Sequence, residues 1–262
     1  MRPEERRRHI LELLRQRERI SVDELARTLS TSQETIRRDL TALAEQGLVS
    51  KFHGGAALPP SGEHENAFQT RMNEHAQEKR AVARYAAGLF GPGDSIFIDT
   101  GTTTLLFARE LARQSHLTVI TNSLLIAGSV GASGNRAFMI GGEYRPNRKD
   151  FCGYLTDQAL TGLYFSKSFV GADGCVHGRQ FTTTDFDTAR MNQIAMRNTD
   201  QNIMLVDSSK FSVSAHVAYA PLEMLHTIVT DTGIRPEMLA QLKSSHVRVI
   251  CADVSKPSAD ET

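Results

Sequence analysis

A chain of 262 residues exceeds the usual size of one domain and favours two units, and 40% hydrophobic with 23% charged residues excludes disorder throughout. Lys plus Arg and Asp plus Glu number 30 each, so the formal net charge is zero and any DNA-binding surface has to be local. The charged N-terminus lacks an apolar run behind it, no stretch is long enough to span a bilayer, and Cys152, Cys175 and Cys251 fit neither zinc nor redox spacing; this points to a cytoplasmic chain with no membrane segment, metal or cofactor.

Pro3 suits the first turn of a helix whose stripe is Ile10, Leu13 and Leu14. Ser21-Val22-Asp23-Glu24 is a capping box, and Val22, Leu25, Ala26 and Leu29 repeat at helical spacing. After Ser30 and Thr31, Ser32 can cap a third helix with Ile36, Leu40 and Leu43 buried. Its outer face would carry Gln33, Glu34, Arg37, Arg38 and Thr41, side chains able to reach base edges and phosphates in a major groove. Taken alone, Glu34 and Arg38 would be an ordinary i,i+4 pair on a solvated helix. The context is more specific: Gly47 ends the helix, Leu48 to Phe52 is strand-like, and His53-Gly54-Gly55 is a turn, giving three helices and a hairpin, a winged helix-turn-helix.

These residues resemble a known signature. Ser32-Gln33-Glu34-Thr35-Ile36-Arg37-Arg38-Asp39-Leu40, then Leu43, Gly47 and His53-Gly54-Gly55-Ala56, are similar to the DNA-binding segment of DeoR-type transcriptional regulators. The resemblance implies contacts to duplex operator DNA from the third helix, with Arg37 and Arg38 central, Ser32, Gln33, Thr35 and Thr41 beside them, and Lys51 and His53 near the wing. Residues 1 to 56 are only mildly basic, which makes non-specific affinity modest and salt-sensitive. Residues 1–57 form this domain. Ala57 to Asn66 lacks periodicity and is rich in Pro, Gly and polar residues, so 58–75 is expected as a linker, with His64 and His75 solvated.

From Val82 the chain alternates. An amphipathic helix through Phe90 stops at Gly91-Pro92-Gly93, and strands follow at 95–98, 117–120, 137–140, 168–170, 203–206, 227–229 and 247–250, separated by helical stretches. The fold class is α/β: residues 76–254 form a Rossmann-like parallel sheet, and 255–262 a disordered tail. Ligands bind at the carboxyl ends of such strands. There stand Asp99-Thr100-Gly101-Thr102-Thr103-Thr104, Thr121-Asn122-Ser123, Gly141-Gly142, Gly171-Ala172-Asp173-Gly174 and Asp207-Ser208-Ser209-Lys210. Gly101 and the amides of a helix start suit a phosphate, and the hydroxyl-rich rim suits a polyol. A Thr-rich helix cap reads the first segment equally well. No Lys follows at P-loop spacing, which disfavours nucleotide hydrolysis.

The strand ends are similar to the effector domain of the same regulators, itself similar in fold to ribose-5-phosphate isomerase. That implies a phosphate at Gly101 to Thr104, sugar hydroxyls near Asp99 and Asp173, and charge from Lys210. One departure stands out: Ala189 and Arg190 fill positions where many relatives carry Glu-Ala, which removes a base an isomerase needs unless Asp185 or Asp187 substitutes. The expectation is a non-enzymatic repressor of a carbohydrate operon, a dimer or tetramer released from DNA by a phosphorylated sugar. The alternatives are an isomerase-like enzyme with an accessory domain and a purely structural module.

Overall fold

The computed structural model describes residues 3–17, 19–45, 49–52, 54–57, 63–91, 93–113, 117–146 and 148–255. Gly47, His53, Pro59, Pro60 and the expected tail beyond Ser255 lie outside the described residues. The chain divides into two compact units, Met1–Thr70 and Arg71–Thr262.

The first unit opens with α1 (Pro3–Arg17), β1 (Arg19–Ser21), α2 (Val22–Thr28) and α3 (Gln33–Glu45), followed by β2 (Ser50–Phe52) and β3 (Gly55–Ala57). Ile10, Leu14, Val22, Leu25, Ile36, Leu40 and Leu43 close one core with Ile20, Val49 and Ala56. Each fully buried Leu or Ile there contributes about 1.5–3 kcal/mol, which is what holds helices too short to persist alone. Both expected caps form: Glu24 N donates to Ser21 Oγ at 3.1 Å, and Thr35 N to Ser32 Oγ at 3.2 Å. Between α2 and α3 the chain turns through Ser30 in the left-handed region, φ 49°. The expected two-stranded hairpin is part of a three-stranded antiparallel sheet, order β1-β3-β2. Strand β1 escaped the sequence reading because three residues carry no measurable alternation. Helix α4 (Glu63–Asn73) occupies much of the stretch expected as a linker. Its N-terminal half is polar, so hydrophobic periodicity gave no sign of it.

The second unit begins with α5 (Ala76–Ala86), β4 (Ser95–Ile98), α6 (Thr102–Leu111), β5 (Thr118–Thr121), α7 (Leu124–Gly131) and β6 (Arg136–Met139). A hairpin, β7 (Glu143–Arg145) and β8 (Asp150–Cys152), precedes α8 (Tyr154–Thr161) and β9 (Phe165–Val170). Then come β10 (Gly174–Val176), β11 (Gln180–Thr183), α9 (Phe186–Arg197), β12 (Thr199–Leu205), β13 (Val217–Pro221), β14 (Thr227–Asp231), α10 (Pro236–Lys243) and β15 (Arg248–Ala252). Seven strands form one parallel sheet, order β15-β14-β12-β9-β4-β5-β6. All seven expected strands are in it. Their central runs, such as Ser-Ile-Phe-Ile in β4, are apolar without alternation because helices cover both faces.

The winding fixes where a ligand can enter. From β4 the chain steps through β5 to β6 at one edge, then returns to lay β9 on the other side of β4 and continues outward through β12, β14 and β15. The direction reverses between β4 and β9, and in a doubly wound sheet the crevice outside the carboxyl ends at that reversal is the binding place. Asp99 follows β4, and Asp173 follows β9. A second small antiparallel sheet, order β10-β11-β13, shifts register between Phe181 and Thr182 and stands beside that crevice.

Candidate functional sites

In the first unit the outward face of α3 is polar and accessible. Ser32, Gln33, Arg37, Arg38 and Thr41 are exposed and Thr35 is half-buried, while Ile36, Asp39 and Leu40 face inward. The side chains are already held: Arg37 Nη2 donates to Gln33 Oε1 at 3.3 Å, Thr41 Oγ1 to the Arg37 carbonyl at 2.8 Å, and Lys51 Nζ of β2 to Thr41 Oγ1 at 3.0 Å. Arg38 approaches Glu34 at 3.6 Å with both side chains largely in solvent, an i,i+4 pair of little energetic weight that DNA can displace. Asp39 was not singled out in the sequence, yet its buried carboxylate accepts from Arg6 and Arg7 of α1 and fixes α3 in place. Its placement inside a run of polar residues hid that role.

In the second unit, the expected strand-end residues divide by what they bond. Thr121 Oγ1 donates to the Ile98 carbonyl at 2.7 Å and accepts from Ser123 N, and Ser123 Oγ caps α7. Those two hydroxyls hold β5 and the start of α7, so their contribution is to shape the rim. Asn122 Nδ2 donates to the Phe151 carbonyl at 3.0 Å, but its buried Oδ1 has no partner among the described residues. Gly141 offers its carbonyl to Thr156 Oγ1 at 3.0 Å, and Gly142 lies hard against Thr156 and the Cys152 carbonyl. Gly101, Thr102, Thr103 and Thr104 begin α6 with no side chain capping its first amides. A Cβ on Gly101 would stand 3.0 Å from Thr104 Oγ1. Lys210 is half-buried in a short 3-10 helix, Ser208–Ser212, which opens at the buried Asp207.

The two carboxylates expected to meet sugar hydroxyls differ in charge state. Asp99 is 1% exposed, its Oδ1 is unpaired among the described residues, and burial pushes its pKa up to about 7, with Asn192, Arg148 and the Gly171 amide offsetting part of the cost. Burial also raises Asp173, but the Thr184 amide and the neighbouring Arg71 and Thr183 outweigh it and hold that carboxyl below its ordinary range. Asp173 Oδ2 accepts from Thr183 Oγ1 at 2.9 Å, Thr184 N at 3.0 Å and Thr184 Oγ1 at 3.2 Å, and Oδ1 accepts from Arg71 Nη1 at 3.2 Å.

Residues 6–61 match the model of the DeoR-like helix-turn-helix domain, and residues 74–232 match that of the DeoR C terminal sensor domain. The chain belongs to the DeoR family. Among curated DeoR relatives, the glycerol-3-phosphate regulon repressor of Escherichia coli is 30% identical over 95% of this chain and 99% of its own length. The lactose phosphotransferase system repressor of Staphylococcus epidermidis is 32% identical over 86% of this chain and 90% of its own. Among solved structures, ribose 5-phosphate isomerase A of Methanocaldococcus jannaschii is similar with a TM-score of 0.40 and 20% identity, covering 53% of this chain and 55% of that one. At that score the likeness says nothing about the chemistry of the site. No helix among the described residues is long and apolar enough to cross a membrane.

Around the strand ends of this DeoR sensor domain stand charged residues the sequence did not reveal. Arg145 of β7 holds Asp150 through two hydrogen bonds of 2.9 and 2.8 Å and reaches Asp185 at 2.8 Å. Burial raises Asp185, but Arg145 and Thr188 bring it down to about 2. Asp185 also caps α9 by accepting from Thr188 N at 2.7 Å, so its carboxylate is committed and is no replacement base. Ala189 is buried in the core, and Arg190 is directed to an ion pair with Asp157 of α8. Lys79 of α5, 1% exposed, donates to the carbonyls of Arg71 and Glu74 and lies 3.9 Å from Asp207 Oδ2. Arg71 and Lys79 sit on helices before β4, the first strand of the parallel sheet in chain order, so a search confined to the segments after each of its strands misses them.

Proposed function

We propose that this protein represses a carbohydrate-metabolism operon in the cytoplasm by binding duplex operator DNA through the α3 face and the wing, and that a phosphorylated sugar releases it. The observation that carries the reading is that one chain joins a DeoR-type helix-turn-helix to a sensor unit whose strand reversal opens onto uncapped amides of α6, Asp99 and Asp173. The first-turn amides of α6 favour a phosphate because they are unspent donors at the positive end of a helix. Asp99, Asn122, Asp173 and Lys210 supply donors and acceptors for hydroxyls around it.

Residues 1–57 bind DNA, 76–254 sense the ligand, and 58–75 join them. Release requires that the ligand bind the DNA-competent and incompetent states with different affinity, and a dimer or tetramer presenting paired wings gives it an arrangement to bias. The names of the two relatives, one of a glycerol-3-phosphate regulon and one of a lactose phosphotransferase system, are in keeping with a phosphorylated small carbohydrate. The test is thermal denaturation of the whole protein against matched pairs of phosphorylated and free sugars. One phosphorylated sugar should raise the melting temperature where its free form does not, and Gly101→Val should abolish the shift. Equal responses to both forms would remove the phosphate from the account.

A further inference from the structure

Two guanidinium groups border the crevice with donors left over. Arg71 gives Nη1 to Asp173, but its buried Nε has no hydrogen-bond partner among the described residues. Arg148 comes no closer than 3.6 Å to Asp150 through Nε, which is likewise buried and unbonded, because Asp150 is already occupied by Arg145. Arg148 lies near enough to Asp99, Asp173 and Arg71 for its charge to act on all three. Asn192, 0% exposed, lies against Asp99 and Tyr219. Leaving a buried donor unbonded is costly, so two such guanidinium donors mark a place where a ligand supplies the acceptors.

We propose that Arg71 and Arg148 together receive an oxyanion of the effector, and that Arg71 carries this contact into α4. The inference rests on the effector reading and adds the residues that tell a charged ligand from a neutral one. Arginine fits the task because its planar fork can keep one N–H on Asp173 while offering Nε–H to the ligand. Asp173 is ionised and locked by Thr183 and Thr184, so it orients Arg71 before the ligand arrives. Arg71 belongs to the last turn of α4, the helix in which the chain passes from the first unit to the second, and Lys79 fastens the Arg71 carbonyl from below. A ligand held by Arg71 is therefore held from α4 itself.

The experiment uses the full chain with Arg71→Gln, Arg71→Lys and Arg148→Gln. The probes are inorganic phosphate, hexose 6-phosphates with their free sugars, glycerol 3-phosphate with glycerol, and gluconate as a carboxylate source. Ligand affinity is read by calorimetry and operator affinity by anisotropy. Both Gln variants should lose at least ten-fold in affinity for the anionic probe that binds wild type, bind operator within two-fold of wild type, and lower the ratio of anionic to neutral affinity. Arg71→Lys, which keeps the pair with Asp173, guards against a folding defect and should recover part of the loss. A purely structural Arg71 would leave that ratio unchanged. If both Gln variants bind the anion as wild type does, the arginine pair is refuted and the effector reading stands. If wild type binds none of the anionic probes, both fall.

Discussion

Arg7 Nε of α1 donates to Asp39 Oδ1 of α3 at 3.0 Å, and Arg6 holds the other oxygen of the same carboxylate. Asp39 is 2% exposed, so these ion pairs fix α3 from inside while Arg37 and Arg38 stay exposed outside. Breaking a buried pair by removing one partner leaves the other charge stranded and costs about 3–5 kcal/mol. Arg7 is partly exposed, so Asp39→Ala should lie at or below the low end of that range. Chemical denaturation of the first unit should show the loss, with operator affinity falling although Asp39 touches no DNA.

The outer face of α3 should behave differently. Arg37→Ala and Arg38→Ala should leave the melting temperature within a degree or two while weakening operator binding by about 1–3 kcal/mol, roughly a five- to 150-fold effect. Anisotropy at several salt concentrations separates their roles. A phosphate contact lowers the salt slope by about one, and a base contact instead relaxes the preference at one operator position. Unchanged operator affinity in both variants would take α3 off the DNA.

Asp99 gives the sensor unit a pH signature. Its folded pKa of about 7 lies above the ordinary 3.8, so the folded state keeps a proton that the unfolded chain releases. Through this group stability falls as pH rises from about 4 to 7, by up to about 4 kcal/mol. Asp99→Asn removes that loss: it should match wild type near pH 4 and exceed it at pH 7 in urea unfolding. The depressed Asp173 and Asp185 act in the other direction and at lower pH, so they do not mimic it. Parallel pH profiles for wild type and Asp99→Asn would show that Asp99 is ionised at neutral pH.

Two adjacent glycines should respond oppositely. A Cβ on Gly142 would lie 2.1 Å from Thr156 Oγ1 and 2.5 Å from the Cys152 carbonyl, whereas one on Gly141 meets nothing within 4 Å. Gly142→Ala forces the start of α8 to move, at about 1–3 kcal/mol. Gly141→Ala should leave the unfolding midpoint where it is, and comparing the two midpoints isolates the packing at this strand end.

The legible parts of this protein were those with a repeating signal. The caps at Ser21 and Ser32, the buried Ile36 and Leu40, and the apolar runs of the seven parallel strands follow from spacing alone. What stayed hidden depends on folding distant segments together. Strand β1 is too short for a period, and Asp39 looks like one more surface charge until α1 covers it. Arg71, Lys79 and Arg148 carry no local pattern, because their significance comes from Asp173, Asp207 and Asp150. Thr121 and Ser123 show the converse: composition marked their hydroxyls as free for a ligand, and the backbone takes them.

The central claim is that a phosphorylated sugar controls the grip of α3 on DNA, and the most direct measurement is fluorescence anisotropy on the upstream intergenic DNA of its own gene. It is run at fixed salt with matched phosphorylated and free sugars. The expected result is tight, salt-dependent binding that one phosphorylated sugar reverses and its free form does not, with Arg37→Ala binding the same DNA more weakly. Binding that no phosphorylated sugar alters, in a protein that the same sugars nonetheless stabilise, would contradict control of DNA by that ligand.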